Sequence, residues 1–135
     1  MDSAHALIVD DQQANIEVLA MLLAQQGVTS TAVRATRHLM DTIARLAHID
    51  VVFLDLEMPH SDYHALLPRL KAEPRLAGVP IIAYTVHTSE IEIARRIGFD
   101  GFLGKPLRAS QFPDQLRRIL NGEPVWSLQY GGIDV

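Results

Sequence analysis

The run from Ile49 to Leu56 constrains this chain most: it is apolar almost without alternation, interrupted only by Asp50 and Asp55. A strand of that kind is covered on both faces, which places it in the middle of a parallel sheet. Four more β-branched or aliphatic runs lie at about 6–10, 29–34, 80–85 and 101–103. Each of the five is followed by a stretch with apolar residues at helical spacing, so the pattern predicts five βα units. In the first helix Ile16, Leu19, Ala20, Leu23 and Ala24 form one apolar face, and Gly27 is placed to end it. Pro68 conflicts with a helix interior, which predicts a late start near His64 with Pro59 to Tyr63 as loop. Pro113 fits the start of the last helix if Ser110 caps it.

With 135 residues, 48% of them hydrophobic, the chain suits one domain with its own core. The net charge is -4 and the basic residues are scattered in singles and pairs such as Arg95-Arg96 and Arg117-Arg118, which read as solvated helix faces. No stripe that would track a phosphate backbone is present, so direct nucleic-acid binding is not expected. No basic leader opens the sequence and no apolar run approaches the length that crosses a bilayer, so a soluble, cytoplasmic protein without membrane contact is expected. The absence of cysteine excludes disulfides, thiolate nucleophiles and Cys-ligated zinc. After about Asn121 the periodicity stops, and residues 122–135 are expected to form a C-terminal extension, with Trp126 and Tyr130 packing back or meeting a partner. No effector domain is expected there.

The chemistry gathers at strand ends. Asp10-Asp11 follows Ala6 to Val9, Asp55 ends the central run, Thr85 ends the fourth strand and Lys105-Pro106 follows the fifth. In an open parallel sheet the carboxyl ends of neighbouring strands form the ligand crevice. Carboxylates within about 5 Å of one another repel by roughly 3 kcal/mol per pair at an effective dielectric of 20, so the cluster calls for a cation. Oxygen-only ligation with room for waters suits Mg2+, and an Mg2+ site of that kind accepts phosphoryl oxygens. A carboxylate can also attack phosphorus to form an acyl phosphate, and Asp55 is the best placed to do so.

Val9-Asp10-Asp11, Asp55-Leu-Glu-Met-Pro59, Ile81-Ile-Ala-Tyr-Thr85 and Lys105-Pro106 resemble the motifs of response-regulator receiver domains of two-component signal transduction, the CheY-like superfamily. The match covers about residues 5–121, the expected receiver domain. The resemblance implies a flavodoxin-like doubly wound (βα)5 fold with a five-stranded parallel sheet in the order 2-1-3-4-5. It implies that Asp55, Lys105 and Thr85 form the catalytic set, with Asp55 accepting a phosphoryl group from a histidine kinase or histidine phosphotransfer protein. Mg2+ would be held by Asp11 directly, by Asp10 through a metal-bound water and by the backbone carbonyl of Glu57, with Asp55 also in its site. Lys105 would pair with phosphoryl oxygens and precede a cis peptide to Pro106. Thr85 would be the switch hydroxyl and Phe102 the aromatic switch, turning an output face on the fourth helix, fifth strand and fifth helix toward a downstream effector. A monomer or a phosphorylation-dependent homodimer, with no catalysis beyond self-phosphorylation and self-dephosphorylation, is what the family leads one to expect.

The sequence departs from the family in places. Asp62-Tyr63 stands where an Asp-Gly pair is frequent, and Val86 replaces a small residue after the switch hydroxyl, which narrows access to the acceptor. In the family the positions of Glu57 and His87 flank the path of a hydrolytic water, so the resemblance implies that they influence phosphoryl lifetime. Simpler readings stand beside these roles: strand-end acids cap helices, Thr85 alone is an ordinary strand hydroxyl, and Phe102 alone is core. His60 and His64 have helical metal-pair spacing but lack a third ligand, and surface is the better reading. Three other functions stay open. A pseudo-receiver would bind partners without phosphorylation. An aspartyl-phosphate phosphatase of similar fold would usually carry an aspartate where this chain has Glu57, together with a capping domain. A flavin carrier would need a hydroxyl- and glycine-rich phosphate loop that the first strand lacks.

Overall fold

Val51–Asp55 is buried at all five positions, as a central parallel strand must be. A computed structural model describes residues 3–59 and 62–127. In it the strands are β1 (His5–Val9), β2 (Thr29–Val33), β3 (Val51–Asp55), β4 (Ile81–Thr85), β5 (Gly101–Gly104) and β6 (Val125–Ser127), and every neighbouring pair is parallel. The main helices are α1 (Gln13–Gln25), α2 (Leu39–Arg45), α3 (Tyr63–Ala72), α4 (Ile91–Ile97) and α5 (Phe112–Leu120). The strand order is β2-β1-β3-β4-β5-β6. The fold is thus the doubly wound, flavodoxin-like α/β arrangement, but its sheet has six strands where five were expected.

The sixth strand comes from the C-terminal segment, which sequence periodicity reads as an irregular extension. Gly101 makes the pairing possible. A Cβ at this position would lie 2.8 Å from the Val125 carbonyl oxygen and 2.9 Å from Ile82 Cδ1, so only glycine lets β6 come this close. Arg95 stacks on Trp126 at 4.5 Å and Gln115 Nε2 donates to Ser127 Oγ at 3.1 Å, fixing the strand to α4 and α5. Arg95 is therefore more than a solvated charge, and Trp126 packs back on the domain. Tyr130 and His60 lie outside the described residues.

Strand alternation sends side chains into two cores. Ala6, Ile8, Phe53, Tyr84 and Leu103 meet α1 and α5 through Leu19, Phe112 and Leu116. Leu7, Leu54, Ala83 and Phe102 meet the other helices through Ile43, Leu67, Leu70 and Ala94. On α1 the buried residues are Ile16, Leu19, Leu22 and Leu23; Ala24, expected in the apolar stripe, is exposed because the face that meets the sheet is centred nearer Leu19 and Leu22. Gly27, at a φ of 76°, ends the helix in the left-handed region, with its N–H donating to the Ala24 carbonyl.

Two helix starts differ from expectation. Asp62 Oδ1 accepts from the His64 N–H at 3.0 Å and so caps α3 at Tyr63. The helix begins one residue before the expected start, and Pro68 is its sixth residue, inside the helix, where its missing N–H deprives the His64 carbonyl of its usual i+4 partner. The helix keeps its course because Pro68 is on the exposed side while Leu66, Leu67 and Leu70 anchor the other. α5 is capped at Gln111, not Ser110, with Pro113 in its first turn; the Arg108 carbonyl already takes the N–H groups of Gln111 and Phe112, turning the chain one residue later.

Candidate functional site

The chain leaves β1 for one side of the sheet and returns to β3 for the other, so the crevice opens between these two central strands. Val9 pairs with Leu54 in that register, which brings Asp10, the next residue, beside Asp55. One carboxylate oxygen each from Asp10, Asp11 and Asp55 lies within 4.8 Å of the others. Asp50, the other interruption of the central run, lies at the opposite end of β3, where it accepts the His5 N–H at 2.8 Å.

Lys105 enters from β5. Its Nζ is 3.3 Å from Asp10 Oδ2 and 3.5 Å from Asp55 Oδ1, and its side chain is 8% exposed. A single ammonium thus spans two buried carboxylates and leaves the three-acid cluster with excess negative charge before any cation binds. The Lys105–Pro106 peptide is cis, and the Lys105 N–H donates to the Thr85 carbonyl at 2.9 Å.

The two buried acids differ. Asp10 has its pKa lowered: burial pushes it up, but hydrogen bonds from the Tyr84 hydroxyl and Gln12 N–H and the charge of Lys105 outweigh that. Asp55 is pushed up to about 6 by burial and the neighbouring Asp10, with the Glu57 N–H and Lys105 only partly offsetting this. Asp55 is therefore the carboxylate that gains most when positive charge enters the crevice. A hard, all-oxygen donor set with excess negative charge fits Mg2+.

Thr85 is fully buried, and its Oγ1 accepts from the His87 N–H at 3.1 Å. Its β4 alternation places it on the same face as Ala83, which pairs with Phe102 across the β4–β5 ladder. Phe102 is fully buried in turn, with Trp126 opposite it on β6. Over the crevice, Glu57 and His87 are joined directly: Glu57 Oε2 lies 2.8 Å from His87 Nε2, while Glu57 Oε1 is 3.4 Å from the Val86 amide nitrogen. Beside them a cleft of about 260 Å³ is lined by Asn15, Val18, Val86, Lys105, Pro106 and Leu107, among others. Val86 stands on its rim. Tyr63, where a glycine is frequent, sends its hydroxyl to Glu90 Oε1 at 2.8 Å and ties the start of α3 to the segment before α4. His64 is exposed and stacks on Tyr63.

Three features escape sequence reasoning. Tyr84 donates to Asp10 Oδ2 at 2.6 Å, and Arg34, just past β2, donates to the Asp11 carbonyl from Nη2 at 3.0 Å and from Nε at 3.3 Å. The pairing of Glu57 with His87 is the third. For Tyr84 alternation puts it on the face of Phe53, but nothing in the sequence marks the partner of its hydroxyl.

Residues 6–117 match the family model of the response regulator receiver domain, and the chain belongs to that family. Two-component response regulator ORR13 from Oryza sativa subsp. japonica is 31% identical over 127 residues, covering 90% of this chain and 98% of its own. Stress response regulator protein 1 from Meyerozyma guilliermondii is 32% identical over 114 residues, covering 78% of this chain; the chain spans only half of that relative's length. Among solved structures, the receiver domain of sensor histidine kinase PA1611 from Pseudomonas aeruginosa PAO1, with a magnesium ion coordinated in its active site cleft, superposes with a TM-score of 0.75. That match is 23% identical and covers 89% of this chain and 99% of the other. The protein is thus a receiver domain of a response regulator, a family that binds Mg2+ in an acidic site and works with histidine kinases, phosphotransfer proteins and effectors. Among the described residues no helix is long and apolar enough to cross a membrane.

Proposed function

We propose that Asp55 accepts a phosphoryl group from a histidine kinase or histidine phosphotransfer protein and that the resulting acyl phosphate switches protein–protein contacts. The observation that carries this reading is the clustering of three carboxylates, two of them spanned by one ammonium, with Asp55 the less stabilised of those two as an anion. An Asp55 oxygen attacks phosphorus while the bond from phosphorus to the donor's imidazole nitrogen breaks, and that nitrogen leaves with the electron pair. Asp10, Asp11, Asp55 and the Glu57 carbonyl are the groups that would hold Mg2+, which supplies charge neutralisation for the transferring group. Lys105, already poised between two carboxylates, turns its ammonium to a phosphoryl oxygen.

The new group adds about -1.5 to -2 charge and three acceptors. Thr85 then gives up its contact with the His87 N–H and donates its hydroxyl to a phosphoryl oxygen. Phe102, on the same face of the sheet, carries the change toward α4, β5 and α5. Chemistry at this site is limited to phosphoryl uptake and its hydrolysis. Residues 5–121 carry the site of the receiver unit, and β6 in the segment after 121 completes its sheet.

The test is intact mass after incubation with acetyl phosphate and Mg2+, beside Asp55→Asn and a chelated control. One phosphoryl group gained only by the wild type with metal is expected. No gain, together with no Mg2+ binding, would favour a pseudo-receiver that meets its partners constitutively.

A further inference from the structure

Among the described strand residues Tyr84 is the only tyrosine, and it contacts both of the oppositely charged groups at the centre of the site. Its hydroxyl donates to Asp10 Oδ2 at 2.6 Å. The Lys105 Nζ sits 4.3 Å from its ring centroid and 3.3 Å from the same Asp10 oxygen. Phe53 meets the ring edge-on at 6.3 Å and holds it in place. Asp10 Oδ1 accepts the Gln12 N–H at 2.9 Å, so three of the roughly four acceptor sites of this carboxylate are filled by the protein itself. Burial, and then the adjacent Asp10, push the phenol pKa well above its ordinary value, which keeps the hydroxyl a donor throughout the working range.

We propose, on the reading of Asp55 as phosphoryl acceptor, that Tyr84 is a positioning residue of the site: by occupying one acceptor position of Asp10 it moderates the grip on Mg2+, and by sharing Asp10 with Lys105 it leaves the ammonium free to turn toward an incoming phosphoryl group. The two effects have opposite signs when the hydroxyl is removed. In Tyr84→Phe the ring still supports Lys105, but Asp10 has an open acceptor position for the cation or its water. Mg2+ should therefore bind about tenfold more tightly, as expected for the loss of one charge-assisted donor. Lys105 becomes the sole side-chain donor to a buried carboxylate and is held there, so phosphoryl uptake at saturating Mg2+ should slow by a similar factor.

The experiment measures the Mg2+ Kd by calorimetry and the rate of phosphoryl gain from acetyl phosphate by intact mass, for the wild type and Tyr84→Phe. Tighter metal binding combined with slower uptake supports the proposal, because a merely structural loss weakens both. Unchanged constants, or weakening of both, overturns it. A wild type that gains no phosphoryl group removes the acceptor reading of Asp55, and the Mg2+ comparison then decides the role of Tyr84 by itself. Should Tyr84→Phe fail to fold, proton NMR of the wild type decides: a slowly exchanging phenolic proton at low field that shifts on Mg2+ addition is expected, and its absence refutes the contact.

Discussion

Replacing Asp55 by asparagine should stabilise the metal-free protein, and the gain should depend on pH. Asp55 is 3% exposed and its pKa is pushed up from 3.8 to about 6, by burial first, with Asp10 adding repulsion. At about 1.4 kcal/mol for each tenfold change, keeping it ionised costs the fold on the order of 3 kcal/mol. The sign follows from proton binding. Between about pH 4 and 6 the folded chain holds a proton at this site that the unfolded chain has released, so wild-type stability falls as pH rises through that window and levels off above it. The amide of the Asp55→Asn variant does not titrate. The stability difference between variant and wild type should thus be small near pH 4, grow through pH 6 and plateau by pH 8. With an m-value of about 1.5 kcal/mol/M, the plateau corresponds to a urea midpoint roughly 2 M higher for Asp55→Asn. Far-UV circular dichroism during urea titration in chelator, at pH 4, 6 and 8, reads it directly. Equal midpoints at pH 8, or one constant offset at all three pH values, would refute the reasoning. Saturating Mg2+ should narrow the gap at pH 8, since the cation offsets the same repulsion in the wild type.

Gly101→Ala should push β6 off the sheet, because its Cβ meets the Val125 carbonyl oxygen at 2.8 Å; a loss of about 1–3 kcal/mol, a red-shifted Trp126 emission and faster amide exchange at residues 125–127 are expected, with Mg2+ affinity kept. Glu57→Ala and His87→Ala break the same bridge, so each should shorten the phosphoryl half-life by about two- to fivefold, the range of an exposed ion pair, and the double variant should add nothing further; half-lives indistinguishable from wild type would reject the bridge as a water barrier. Asp62→Ala removes the cap of α3 and should cost about 1 kcal/mol in thermal unfolding, without altering phosphoryl uptake.

Residues whose roles follow from strand position are legible in the sequence. Asp10, Asp11, Asp55, Thr85 and Lys105 each end an apolar run, and parallel packing carries run ends to one edge of the sheet. Contacts between distant segments are not. Tyr84 reads as one more large strand residue, since nothing in Ile81 to Thr85 reveals that its hydroxyl meets an aspartate 74 positions earlier. β6 is only three residues long and is preceded by Gly122 and Pro124, and its signal lies instead in Gly101 on the neighbouring strand. Pro68 misleads because local propensity yields to the Asp62 cap and to the buried leucines of α3.

The charged groups of the crevice come from the ends of the first, third and fifth strands, with β4 lying between Asp55 on β3 and Lys105 just past β5. A chain folded only as far as β4 would bring the carboxylates together without the ammonium that spans two of them. Their repulsion disfavours that intermediate, and docking of β5 relieves it. The charge pattern of the site therefore acts on folding as well: it penalises the incomplete sheet, sharpens the transition to the whole one, and ties completion of the proposed phosphoryl site to arrival of the fifth strand.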